Sequence, residues 1–266
     1  MGNVFTTQDK KLSIDINSND YIGGRKGMNM KRIYHRIILV RHGETESNNK
    51  LMNNKSIKDE KTLNTFLTET GLQQADDVYN YLNNTLNFKP DKVIYSPLSR
   101  AYNTALPFVS TNTLKSSIEW TEYNPKRTEY IEYDKDEDEN DDDDESDYGS
   151  TWTYNKETSN EFKNRILKEF KILTEQGDIE NRKQTLIFTH SQVISTILSY
   201  GLTNLDSNIT ESGIEQENDE YLKTFFHLSN CSITCIDIDE DRQCHVQTVN
   251  YTKHLDICTG QHSPFI

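Results

Sequence analysis

The chain predicts an α/β domain built as a three-layer sandwich, with a mostly parallel central sheet and helices on both faces. Three observations carry that expectation. The short apolar runs Ile37-Ile38-Leu39-Val40, Val93-Ile94-Tyr95 and Leu186-Ile187-Phe188 have the length and continuity of buried strands. Stretches with a helical apolar period alternate with them. Each run ends in polar residues able to carry chemistry, and the carboxyl edge of a parallel sheet is where such folds build their sites.

Taken in order, residues 1–33 are polar, contain Gly23-Gly24 and show no apolar period, so a flexible tail is expected. A first strand follows over about Arg36 to Val40, and then a polar loop from Asn48 to Asn64. Thr68 is placed to cap a helix whose apolar positions are Leu72, Ala75, Val78, Tyr79 and Leu82. The second strand, Val93 to Tyr95, ends at Ser96-Pro97, an N-cap followed by proline at the first helical position, and that helix runs to about Val109. Ile118 to Tyr123 is expected as a third strand or sheet edge. Phe162, Ile166, Phe170 and Leu173 mark another helix. Leu186 to Phe188 is the fourth strand, with a helical stretch after His190 to about Tyr200 and a polar loop over 203–219. Two final strands, around Ile233 to Ile238 and His245 to Val249, alternate like a hairpin. Residues 34–260 therefore form one expected catalytic domain.

Composition narrows the function classes. The 266 residues carry a net charge of −14, but eleven acidic residues against one Lys lie between Asp134 and Asp147. That run predicts a solvated, disordered insertion over about 134–149. The acidity argues against duplex nucleic acid as a partner. No run of eighteen apolar residues is present and no secretory hydrophobic region follows Met1, so a cytoplasmic protein is expected. Cys231, Cys235, Cys244 and Cys258 form no C-x-x-C pair and are expected as reduced structural thiols, with no metal site and no cofactor. Met1-Gly2-Asn3-Val4-Phe5-Thr6 fits the myristoylation pattern M-G-x-x-x-[ST]. An acyl chain on Gly2 would give weak membrane association, since one chain alone anchors marginally.

The chemistry concentrates at strand ends. Cleaving a phosphate ester through histidine needs a neutral imidazole in line with phosphorus, cations around the oxygens and an acid for the leaving group. His42 can supply the nucleophile, Arg41 can hold the phosphate in a fork, and Gly43 lets the backbone turn without a Cβ. Thr45 and Asn48 add neutral donors. Arg100 lies in the first turn of a helix after the second strand, and His190 follows the fourth. Taken singly, Arg100 is as well explained as a surface charge, and His42 as a structural group bonded to backbone. Three such groups on one sheet edge point to a common anion.

In these segments the chain resembles the histidine phosphatase superfamily, also called phosphoglycerate mutase-like. The matching pieces are Arg41-His42-Gly43-Glu44 with Asn48, Leu67-Thr68 with Gly71 and Gln74-Ala75, and Ser96-Pro97-Leu98 with Arg100-Ala101 and Thr104. Further on come Glu157-Thr158-Ser159 with Phe162 and Arg165, Thr189-His190, Asn230-Cys231-Ser232-Ile233 and His254-Leu255. The resemblance implies that His42 becomes phosphorylated in a pocket made by Arg41, Arg100 and His190. It also implies a carboxylate proton donor after the Arg100 helix. Glu122 fits that place, with Glu119 and Glu129 as rivals, because Asn124-Pro125-Lys126-Arg127 replaces the glycine-containing pattern usual there. Ser191 stands where the phytase-like branch carries Asp. The implied activity is hydrolysis of a phosphate monoester, on a phosphorylated small molecule or a phosphoprotein. A phosphoglycerate mutase is the alternative enzyme, disfavoured by Ser47 and by the missing Phe-Thr-Gly-Trp stretch. A non-catalytic phosphate-binding scaffold is the alternative outside enzymes.

Overall fold

A computed structural model describes residues 21–22, 31–48, 64–122, 157–175, 182–201 and 228–255. Gly2, Glu129, the acidic run at 134–149 and the polar loop at 203–219 lie outside the described residues. The strands are β1 (Tyr21–Ile22), β2 (Lys31–Arg41), β3 (Lys92–Tyr95), β4 (Leu114–Ser116), β5 (Lys183–Thr189), β6 (Ile233–Asp239) and β7 (Cys244–Tyr251). The helices are α1 (Glu69–Tyr79), α2 (Ser99–Ala105), α3 (Ser159–Glu175) and α4 (Ser191–Thr196). In the sheet order β4-β3-β5-β2-β6-β7, the first four strands run parallel, β6 pairs antiparallel with β2 and β7 antiparallel with β6, and β1 pairs antiparallel with β2. The α/β expectation holds.

Alternation along β2 divides the core between two layers. Ile38 and Val40 face one side, with Val78 of α1, Ala105 of α2 and Phe108. Ile37 and Leu39 face the other, with Ile166 and Phe170 of α3 and Val193 and Ile194 of α4. Fully burying side chains of this size contributes about 1.5–3 kcal/mol each, so the sheet is held from both faces.

Several boundaries differ from expectation. β2 begins at Lys31, not Arg36, and so takes in the last three residues of the stretch read as a tail. β1, inside that stretch, pairs with its start. Ile118–Trp120 is a short 3-10 turn, not a strand, and the edge strand is β4 just before it. The turn buries Trp120 in the core while Thr121 bonds back to Ile118 O through both its N and Oγ1, at 3.1 and 2.7 Å. Thr68 does cap α1, its Oγ1 accepting from Gly71 N at 3.0 Å, a bond of about 1 kcal/mol. Leu72 is nevertheless 50% exposed. Gly71, Ala75 and Val78 form the buried stripe instead, and Leu72 lies off it.

Gly71 explains that rotation. A Cβ on Gly71 would stand 2.1 Å from Glu44 O, and one on Gly43 would stand 2.6 Å from Gly71 O. The start of α1 thus packs backbone to backbone against the loop that follows β2, which only glycine permits at both positions. Cys231, Cys235 and Cys244 are free thiols. Cys231 precedes β6, with φ 53°.

Candidate active site

Strand register builds the site. Arg41 of β2 is the pairing partner of Thr189 of β5, and Tyr95 of β3 is the partner of Phe188. The next residues, His42, His190 and Ser96, therefore emerge side by side at the carboxyl edge. His42 N donates to Thr189 O at 2.9 Å and Ser96 N to Phe188 O at 3.0 Å. The rings of His42 and His190 end with centroids 5.3 Å apart.

His42 is buried, and its Nδ1 lies 2.8 Å from Gly43 O. A carbonyl can only accept, so Nδ1 carries the hydrogen and Nε2 keeps its lone pair. Burial, with His190, Arg100 and Arg41 beside it, holds the imidazole pKa well below the usual value. The ring is thus neutral and oriented. Its loop is fixed from three sides. Asn230 Nδ2 donates to His42 O, Gly43 O and Asn48 Oδ1 at 3.1, 3.0 and 3.1 Å. Gly43 N donates to Thr104 Oγ1 at 2.9 Å, and Glu44 N donates to Gln74 Oε1 at 2.9 Å.

His190 is fully buried, with Nε2 2.8 Å from Ser96 Oγ. Ser96 therefore serves the histidine. It does not cap α2, which starts at Ser99 with Leu98 as its N-cap residue. His190 Nδ1 has no hydrogen-bond partner among the described residues and faces Glu122 Oε1 at 3.5 Å. Burial first, and then Arg100 and Arg41, hold the pKa of His190 well down. With the hydrogen on Nδ1, the neutral ring can accept from Ser96 and point an N–H into the site.

Arg100, in the first turn of α2, reaches Glu122 through Nη2. Arg41 donates Nη1 to Leu228 O, while its buried Nε has no partner among the described residues. Two guanidinium groups, two neutral imidazoles and one carboxylate thus converge at one edge, an arrangement suited to an anion larger than the carboxylate alone.

The structure brings together His42, His190, Arg41, Arg100 and Glu122. Of the rival acids, Glu119 lies near enough to Glu169 on α3 that its charge, after burial, raises the pKa of that carboxyl. Thr45 and Asn48 are bound to each other: Thr45 Oγ1 donates to Asn48 Oδ1 at 2.9 Å, and Asn48 N donates to Thr45 O at 3.0 Å. They shape the loop after His42. Ser96, Thr104, Gln74 and Asn230 all lie in segments that carry the family resemblance, but their bonds to His190, Gly43, Glu44 and His42 join residues far apart in sequence, so local pattern does not show these pairings.

Residues 37–252 match the histidine phosphatase superfamily (branch 1). Solved structures of similar fold include a phosphoserine phosphatase mutant from Entamoeba histolytica in complex with phosphoserine, at 23% identity and a TM-score of 0.53. That match covers 83% of this chain and 99% of that one. The same organism's phosphoserine phosphatase in complex with 3-phosphoglyceric acid matches at 22% identity and a TM-score of 0.51, covering 83% and 99%. A mycobacterial glucosyl-3-phosphoglycerate phosphatase in complex with VO3 matches at 17% identity and a TM-score of 0.53, covering 82% and 99%. No curated protein sequence matches this chain.

Proposed function

Starting from a chain that belongs to the histidine phosphatase superfamily, we propose that it hydrolyses a phosphate monoester through a phosphohistidine intermediate on His42. The observation that carries this reading is the state of His42. Nδ1 is committed to Gly43 O, the ring is neutral, and cations surround it. A nucleophile at phosphorus needs that free lone pair and that field.

In the first step His42 Nε2 forms a bond to phosphorus and the ester P–O bond breaks. Glu122 passes a proton, taken from the bound phosphate monoanion, to the departing oxygen. Arg41, Arg100 and His190 Nδ1–H hold the phosphoryl oxygens, and Arg100 exchanges its bond to Glu122 for one to the phosphoryl group. In the second step Glu122 takes a proton from water as the water oxygen attacks phosphorus, and the P–N bond breaks to release phosphate and restore His42. The acid contributes about 10²- to 10⁴-fold to the rate. Thr45 and Asn48 hold the loop over the phosphate, and no cofactor takes part.

The substrate is a phosphorylated small molecule or a phosphoprotein. A myristoyl chain on Gly2 would add weak membrane attachment to a cytoplasmic enzyme, and incorporation of an alkyne myristate analogue, lost in Gly2→Ala, tests that point. The catalytic reading is tested by phosphate release from p-nitrophenyl phosphate, run beside isomerisation of 3-phosphoglycerate. Release without isomerisation supports a phosphatase. Isomerisation with little release assigns a mutase, and neither activity assigns a binding scaffold.

A further inference from the structure

Glu122 is delivered by a stretch with no ladder or long helix of its own. After the turn at Ile118–Trp120 the chain bends through Thr121 and Glu122. The three carbonyls before Glu122 are nevertheless all engaged by side chains. Arg165 Nη1, from α3, donates to Glu119 O at 2.8 Å and to Thr121 O at 3.2 Å. Thr189 Oγ1, from the residue before His190, donates to Trp120 O at 2.5 Å.

Arg165 is itself held. Its Nε and Nη2 donate to the two oxygens of Glu157 at 2.9 and 2.7 Å, and both side chains are about nine-tenths buried. Its guanidinium lies over the Phe162 ring at 5.2 Å. A charge taken this far out of water is costly unless paired, and Glu157 supplies the pairing. The result is a planar fork with one edge fixed on a carboxylate and the other on the peptide segment of the acid. Lysine cannot reproduce that geometry.

We propose that Arg165, held by Glu157, and Thr189 are positioning residues for proton transfer. They set the reach of Glu122 to the leaving oxygen and tie its segment to the strand that carries His190. This inference rests on the reading of Glu122 as proton donor. A general acid works within about 2.6–3.2 Å of the oxygen it protonates, and a misplacement of about 1 Å costs roughly 10²-fold. A segment outside the sheet ladder, with only the short turn at Ile118–Trp120 for its own backbone bonds, gains rigidity from such charge-assisted bonds, which are about twice as strong as neutral ones.

The test compares p-nitrophenyl phosphate, whose leaving group departs with little protonation, with phenyl phosphate, whose leaving group needs the acid. The readout is the ratio of their kcat/KM values on one preparation, so any unfolded fraction cancels. Glu122→Gln should raise the ratio ~100-fold, since acid catalysis is worth about 10²–10⁴. Arg165→Lys and Glu157→Gln should raise it ~10-fold or more, and Thr189→Val by less, on the scale set by misplacement of the acid. Glu122→Gln combined with Arg165→Lys should raise it no further than Glu122→Gln alone. If Glu122→Gln raises the ratio while Arg165→Lys lowers both substrates equally or neither, the clamp is purely structural and the inference falls alone. If Glu122→Gln leaves the ratio unchanged, the proton-donor reading fails and the clamp falls with it.

Discussion

His42 and His190 stand at the ends of paired strands, whereas Glu122 hangs from a bent segment fixed by side chains. The first pair inherits its geometry from the register of β2 and β5, in which Arg41 faces Thr189. Moving either ring would mean sliding a buried strand, and a one-residue slip turns every side chain to the other face. Glu122 lies outside the ladder, and the carbonyls before it are held by Arg165 and Thr189. The difference fits the proposed chemistry. A nucleophile needs one fixed line of approach, while an acid that later serves as base needs a segment that can be placed without being locked into the sheet.

The sharpest way to break this comparison is at His42, the proposed nucleophile. His42→Ala should lower kcat by ~10⁴-fold or more, as removal of a covalent nucleophile does, with circular dichroism unchanged. Retained turnover would place the nucleophile elsewhere. His190→Ala should cost about 10²–10³ in kcat, the range for removing one donor to the developing charge. Its leaving-group dependence should stay near that of the unaltered protein, unlike that of Glu122→Gln.

The strand-held side also relies on uncharged imidazoles, and this should appear as a pH dependence of stability. His35, in β2, the strand that His42 follows, is buried and has its pKa lowered from 6.5 to about 4, first by burial and then by Lys183. Above pH 6.5 neither state binds the proton. Between 6.5 and 4 the unfolded chain binds it and the folded one does not, so stability falls with pH by up to about 3 kcal/mol. His42 and His190 act in the same direction. Urea titrations at pH 7 and pH 5 should show about 2 kcal/mol of this loss from His35, and His35→Asn should reduce it. A flat profile would mean that these rings are not held neutral by the fold.

The smallest expected effect sharpens the role of the loop after β2. Gly71→Ala puts a methyl 2.1 Å from Glu44 O and should cost ~1–3 kcal/mol, seen as a lower Tm. An unchanged Tm would show that α1 and the His42 loop can move apart freely.

How much of this was legible in the sequence follows the same division. Arg41-His42-Gly43 and Thr189-His190 each follow an apolar run, so their strand-end position could be read from local pattern, and so could the cap at Thr68. The register that pairs Arg41 with Thr189 could not, because it joins segments far apart in the chain. Ile118 to Tyr123 looks like a strand because Ile118 and Trp120 alternate with polar residues. Only the packed core shows that Trp120 enters through a turn. Ser96 has the right residue type for a helix cap, and its partner His190 lies 94 positions away. Leu72 fits the helical period, but the contact of Gly71 with Glu44 sets which face of α1 turns inward. Arg165 and Glu157 carry no local sign of what they hold.

The account stands on a covalent bond between His42 and phosphorus, and trapping it is the direct test. The protein is mixed with [³²P]phosphate ester and quenched in alkali within the first turnover, and the label is then mapped. Label that survives alkali, is lost in mild acid, resides on the peptide carrying His42 and is absent from His42→Ala is the predicted result. Turnover with no label on His42, or label on another residue, would contradict it.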